Sequence, residues 1–396
     1  MNTKNSCAEN KDDIFEFSAQ LDEIKRQGLF RFRRVVETPQ SIFLQIDGKK
    51  ILNFCSNDYL GLANHPEIIK AFKQAVDDYG VGSGSAHLIC GHSKAHQQLE
   101  EELADFTGRE KSLLFSTGYM ANLGVISALI GQGDAVFEDR LNHASLLDGG
   151  LISDARFHRY LHNDLSSLQT HLKRNDSIKR LIVTDGVFSM DGDLASLTDL
   201  VAIAKQMNAC LMVDDAHGIS VLGEKGGGLL EHKGLTQNDV PVLMGTLSKG
   251  FGTFGAFVAG SEELIELLIQ KARTYIYTTA LPPAIAEATR ASLKRVINDT
   301  WRRDKLKQLS ERFRKGAQQL NLNLIESQSA IHAVIIGDSR HTVGISAALL
   351  KAGILVSAIR PPTVPLGSAR LRITLSAMHE DQHIDRLLES LGQVVV

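Results

Sequence analysis

From about residue 58 the chain repeats one arrangement: a short apolar run without polar alternation, then a longer amphipathic segment. The runs are Ser112–Ser116, Arg180–Thr184, Ala209–Val213, Val242–Gly245 and Ala256–Ala259. Segments of helical spacing between them include Ala95–Phe106, Ala121–Ile130 and Leu197–Gln206. A strand that is apolar on both faces must be covered on both, so the pattern predicts a parallel sheet between helix layers, an α/β architecture. With 43% hydrophobic and 22% charged residues, the 396-residue chain can fill such a core, which excludes disorder, collagen and coiled coil. A formal net charge of −3 leaves no electrostatic footprint for nucleic acid.

The flanks read differently. A helix is expected over Ile14–Gln27, followed by the basic stretch Arg31, Arg33 and Arg34 and a hairpin centred on Asp47-Gly48. After Pro282-Pro283 one long helical segment, Ala286–Leu320, carries the only tryptophan, Trp301. Alternating stretches at Ala330–Gly337 and Leu371–Leu375 then combine with helices at Val343–Lys351 and Asp381–Leu391 into an α+β unit. The expected organisation is therefore an N-terminal segment (1–57), a large domain (58–297) and a C-terminal domain (298–396). Residues Met1 to Gln20 are polar and resemble no signal peptide, and no apolar stretch reaches the ~18–20 residues of a membrane span. Cys7, Cys55, Cys90 and Cys210 form no CxxC pair or zinc spacing, which fits a reducing, cytoplasmic setting.

Glycine is concentrated where strands and helices alternate: residues 80–260 hold 24 of the 33, which predicts close backbone approach to a ligand. Four motifs lie in that region and a fifth lies well beyond it. Gly245-Thr246-Leu247-Ser248-Lys249-Gly250-Phe251-Gly252 sets a lysine among small residues after a strand, where a depressed pKa suits imine formation with a carbonyl. Asp214-Asp215-Ala216-His217-Gly218 follows a buried strand and places an acid and a histidine in the crevice where α/β sheets bind ligands. Ser116-Thr117-Gly118-Tyr119-Met120-Ala121-Asn122 enters a helix whose first amides suit a phosphate. Asp139-Arg140-Leu141-Asn142-His143 offers a histidine able to stack on a flat ring. In the Ala358–Thr374 stretch Arg360 lies on a proline-rich loop, while Arg370 and Arg372 share one strand face and are suited to clamp a carboxylate. Each has a plainer reading taken singly: a loop lysine, a cap beside a structural histidine, a capped turn, a solvated strand face. Neither GxGxxG nor GxxxxGK[ST] occurs, which argues against a dinucleotide or P-loop site. His92 and His96 lie four apart with no third ligand evident, so no metal is expected. In conjunction, an imine-forming lysine, an acid for a pyridine nitrogen, a phosphate cup, a stacking histidine and a carboxylate clamp are the parts of a pyridoxal phosphate (PLP) enzyme.

On Ser56-Asn57-Asp58-Tyr59-Leu60-Gly61-Leu62, Asp214–Gly218 and Thr246–Gly252, the chain resembles the α-oxoamine synthase family of fold-type-I PLP enzymes, from about Leu21 to Leu391. Asn142–Leu146, Gly186–Asp193 and Ala358–Thr374 resemble the branch that condenses L-alanine with a pimeloyl thioester in biotin biosynthesis, rather than the glycine acetyltransferase or aminolevulinate branches. The resemblance implies a fold-type-I transferase with a mostly parallel central sheet and a smaller α+β C-terminal domain. It implies Lys249 as Schiff-base lysine, Asp214 against the pyridine nitrogen, His217 on the ring oxygen and His143 stacked on the ring. Gly118, Tyr119 and Thr246 would hold the phosphate, Ser189 would line the cofactor site, and Thr278 and Thr279 would reach the phosphate of a neighbouring subunit in a homodimer. Asn57, His143, Arg360 and Arg372 match amino-acid and catalytic contacts, and Arg31 and Thr363 match substrate positions. The loop Gly82–Leu88 departs from the commoner glycine pattern near Ala86, and Ser248 replaces a glycine found in some relatives. The thiol carrier, coenzyme A or an acyl carrier protein, stays open, as does whether Arg31, Arg33 and Arg34 serve it or are a solvated face. A sister enzyme using glycine with a short acyl-CoA is the alternative activity. A non-catalytic PLP-binding regulator is disfavoured by the presence of Lys249.

Overall fold

The computed structural model describes residues 15–395. At its centre a seven-stranded sheet runs in the order Lys111–Phe115, Ala256–Gly260, Val242–Thr246, Cys210–Asp214, Arg180–Asp185, Ala135–Asp139, Arg156–Tyr160. All strands are parallel except Ala256–Gly260, which runs against both neighbours. The unbroken apolar runs have the expected cause. In the strand Cys210–Asp214, Met212 joins a core cluster with Leu113, Val125 and Met244, while Leu211 and Val213 join another with Phe137, Ile182 and Leu200. Both faces are thus buried, and all five expected runs are strands.

Two strands of this sheet were not anticipated. Ala135–Asp139 ends in two carboxylates and Arg156–Tyr160 carries two arginines and a histidine, so neither reads as an apolar run. Glu138 is nevertheless buried, and burial pushes its carboxyl up to about 8, so charge patterning misreported its position. The expected continuous helix over 286–320 is two helices, Pro283–Asn298 and Trp301–Gln319. Asp299 makes the break: its carbonyl accepts from the Arg302 amide and its carboxylate from Arg302 Nε at 3.1 Å. Both helices are amphipathic, so periodicity carries on across the turn and hides it. The N-terminal helix is Phe17–Arg26, and the expected start at Ile14 lies outside the described residues.

Strands Ile331–Gly337 and Ser357–Ile359 flank Ala369–Thr374 in an antiparallel sheet, with helices Ser339–Lys351 and Asp381–Val394 beside it. Phe43–Ile46 and Lys49–Asn53 form the expected hairpin, whose turn residues Asp47 and Gly48 both have positive φ (50° and 70°), the geometry an Asp-Gly turn favours. The hairpin is not isolated: Lys49–Asn53 pairs in parallel with Ile354–Leu355. No helix among the described residues is long and apolar enough to cross a membrane.

His332, on Ile331–Gly337, is fully buried with neither ring nitrogen hydrogen-bonded, and burial, aided by the Arg314 charge, pushes its pKa down to about 3. The native ring stays neutral while an unfolded histidine protonates below about 6.5. Stability from this group is therefore complete above that pH and is lost as pH falls toward 3, by about 2 kcal/mol at pH 5. His332→Leu should stabilise the chain by about 1–3 kcal/mol at pH 8, since it removes an unsatisfied buried polar group. Urea denaturation at pH 8 and 5 should show a larger gain at the lower pH.

Candidate active site

The sheet assembles the site by aligning strand ends. Asp185 and Asp214 end neighbouring strands as register partners, and Thr246 ends the next strand. Lys249 follows three residues later, and Gly118 opens the helix Gly118–Leu129 after the strand Lys111–Phe115. Carboxyl ends of parallel strands are where open α/β sheets bind ligands.

Asp214 is buried, and its carboxylate is held from two sides: Oδ1 accepts from the Ala216 amide at 2.9 Å and Oδ2 from Asn122 Nδ2 at 2.7 Å. Asn122 Nδ2 also reaches Ser145 Oγ at 2.8 Å, and Ser145 Oγ lies 2.7 Å from His143 Nδ1. His143 caps the helix Ala144–Ile152, and its amide donates to Asp185 Oδ2 at 2.6 Å. Burial, reinforced by the neighbouring Asp214 charge, holds Asp185 well above the usual carboxylate range. The Lys249 amine makes no hydrogen bond or ion pair among the described residues. Desolvation lowers its pKa against the opposing pull of Asp214 and Asp185. Burial also holds His143 and His217 on the neutral side, His217 strongly, with the Lys249 charge adding to it in both.

A second group adjoins the first. The Tyr59 hydroxyl lies 2.7 Å from His217 Nδ1 and 3.2 Å from Asn57 Oδ1, which accepts from Arg372 Nη2 at 3.2 Å. Arg372 Nε donates to the Ser189 carbonyl at 2.5 Å, and Arg370 pairs with Asp191 in the same Gly186–Asp193 segment. Both arginines thus face one segment, as the strand spacing predicts. Asp193 in turn lies 2.9 Å from His162, which Asp139 and Asp193 together raise to about 9 despite burial.

Gly118 is confined: a Cβ there would lie 2.9 Å from Thr246 Cγ2. Thr117 Oγ1 caps the helix by accepting from the Met120 amide, which leaves the Gly118 and Tyr119 amides at the helix start for an anion. The Tyr119 ring bonds Asp148 instead. Gly228 packs on Asp215: at φ +87° a Cβ would meet Asp215 Oδ2 at 2.0 Å.

The remaining predicted residues lie apart. Arg360 donates to the Gly28 and Phe30 carbonyls at 2.7 and 2.8 Å, which ties the exposed segment bearing Arg31 to the loop of Arg360 and Thr363. Thr279 is exposed and bridges Ala86, Tyr277 is 71% exposed, and no described contact joins Thr278 or Thr279 to the lysine site. His87, His92 and His96 come together, but both His96 nitrogens are engaged, by the Ser93 amide and the Leu281 carbonyl, which accounts for His96 structurally. Tyr59, Asn122, Ser145 and Asp185 were missed as site residues. Tyr59, Asn122 and Ser145 sit inside quoted motifs, so a signal was present; Asp185 had only its place at a strand end.

An unpaired amine near two carboxylates, a neutral histidine, free helix-start amides and a confined glycine are a donor set that PLP fits. The model described as aminotransferase class I and II matches residues 49–391, and fold and site define a fold-type-I PLP enzyme. A serine palmitoyltransferase from S. paucimobilis, solved with a bound PLP–myriocin aldimine, superposes with a TM-score of 0.90 at 32% identity over 96% of each chain. The 8-amino-7-oxononanoate synthase of Nitrosococcus oceani is 62% identical over 95% of this chain and 100% of its own length. That of Cellvibrio japonicus is 58% identical over 96% and 95%. The solved 8-amino-7-oxononanoate synthase of Francisella tularensis has a TM-score of 0.77 at 33% identity, covering 87% of this chain and 98% of that one. The chain belongs to the 8-amino-7-oxononanoate synthase family.

Proposed function

We propose that the chain catalyses the decarboxylative condensation of L-alanine with a pimeloyl thioester, yielding 8-amino-7-oxononanoate, carbon dioxide and the free thiol, in the cytoplasmic synthesis of biotin. The observation that carries this reading is the convergence of Lys249, Asp214, His217 and Arg372 around the carboxyl ends of the central strands. Gly118, Tyr119 and Thr246 would receive the cofactor phosphate, Asp214 the pyridine nitrogen, His217 the ring oxygen, His143 the ring face and Lys249 the aldehyde carbon, with Ser189 lining the site. PLP, when bound, supplies an electron sink for negative charge at the amino-acid Cα.

The chain's own groups do the rest. Arg372, braced by Asn57 and the Ser189 carbonyl, binds the alanine carboxylate. Burial lowers the Lys249 pKa, which favours the free amine that takes the Cα proton and later returns one. Arg31, Arg360 and Thr363 lie together where the acyl chain and its carrier would enter. The segment Tyr277–Thr279, exposed at Tyr277 and Thr279, is suited to complete the site of a second copy in a homodimer.

The test is mass spectrometry of the product from PLP-loaded protein with L-alanine and pimeloyl-CoA, then with the pimeloyl-carrier protein thioester. The expected product carries the alanine carbons less its carboxyl. Preference for glycine with a short acyl-CoA would move the assignment to the sister activity.

A further inference from the structure

We propose that Tyr59 is a positioning residue: its hydroxyl holds His217 in the Nε2–H tautomer and, through Asn57, couples that histidine to the Arg372 clamp. The inference rests on the assignment of His217 to the cofactor ring oxygen. Tyr59 is fully buried, 1% exposed, at the junction of the two groups. Its single hydroxyl proton has two acceptors in reach, His217 Nδ1 at 2.7 Å and Asn57 Oδ1 at 3.2 Å. Asn57 Oδ1 already accepts from the Arg372 guanidinium, whereas His217 Nδ1 has no other partner among the described residues. The contact to His217 is the shorter of the two and Asn57 Oδ1 already has a donor, so the hydroxyl proton goes to His217 Nδ1. The ring then carries its own proton on Nε2, and that N–H is the donor a negatively charged ring oxygen requires. In the opposite arrangement Nδ1–H donates to the tyrosine oxygen and Nε2 becomes an acceptor, which repels such an oxygen. One hydroxyl thus decides whether His217 attracts or repels the cofactor's ring oxygen, and its second contact braces the amide that steadies the carboxylate clamp.

The test is long-range ¹⁵N–¹H correlation on histidine-labelled protein, both stripped of PLP and loaded, with His217 assigned by its disappearance in His217→Asn. Wild type should show a pyridine-type Nδ1 and a pyrrole-type Nε2 in both states. Tyr59→Phe should convert His217 partly or wholly to the Nδ1–H form in the stripped protein. In the loaded protein it should lower kcat by about tenfold or more. Asn57→Ala should instead raise the alanine KM while leaving the His217 tautomer as in wild type, which separates the two arms of the contact. An unchanged tautomer in Tyr59→Phe overturns the proposal, as does a changed tautomer with unaltered kcat. Should Tyr59→Phe fail to fold, Tyr59→His, which keeps a ring donor, must retain the Nε2–H form. Failure of the wild type to bind PLP or to condense alanine would defeat the functional assignment, while the stripped-protein spectra still report on Tyr59.

Discussion

Lys249→Ala should leave a folded protein that forms no imine with added PLP, with condensation reduced by about 10⁴-fold or more. The size follows from one side chain holding two roles, the covalent hold on the aldehyde carbon and the movement of the Cα proton. No described contact depends on its amine, so the thermal midpoint should not fall; burial of an unpaired amine costs stability rather than adding it. Absorbance spectra and single-turnover assays with alanine and pimeloyl-CoA decide the matter. A variant that keeps the imine absorbance or still turns over would remove Lys249 from the chemistry.

Asp214→Asn should bind PLP and keep its colour, yet lose about 10³-fold in kcat. A neutral amide of the same shape cannot keep a pyridine nitrogen protonated, so the electron sink weakens although the cofactor stays in place. Some stability, about 1–3 kcal/mol, should go as well. Ala216 N and Asn122 Nδ2 both donate to the Asp214 oxygens, and an asparagine offers only one acceptor to those two donors. Steady-state kinetics with a parallel PLP titration separates the effects: the loss belongs in kcat, not in cofactor affinity alone. An Asp214→Asn enzyme with wild-type kcat would show that Asp185, the neighbouring buried carboxyl, holds the nitrogen instead.

Much of the fold could be read directly. Apolar runs without alternation mark doubly covered strands because the physics is local: a residue in such a run meets a core whichever face it takes. Ala135–Asp139 escaped because its carboxylates are buried and satisfied or neutralised by the tertiary structure, as with Glu138, and Arg156–Tyr160 because it is an edge strand whose arginines face solvent. The break at Asp299 escaped because a polar pair between two amphipathic helices leaves the period intact.

The site divides along the same line. Lys249, Asp214, His217 and Gly118 stand next to strand ends, so local sequence places them; a cleft of about 830 Å³ lined by Glu102, Arg109, Lys225 and Lys294 holds none of them, and concavity would have misled. Arg372 was legible as one of a strand pair, but its contacts with Asn57 and Ser189 span 315 and 183 residues of chain. By itself the sequence determined the sheet, the chemical groups and their order along the chain, since each depends on neighbours a few residues away. Only the tertiary structure decided which of those groups share hydrogen bonds: Asn122 with Asp214, Tyr59 with His217, Arg360 with the backbone before Arg31. A hydrogen bond depends on distances of a few tenths of an ångström between distant segments, and no local pattern records those.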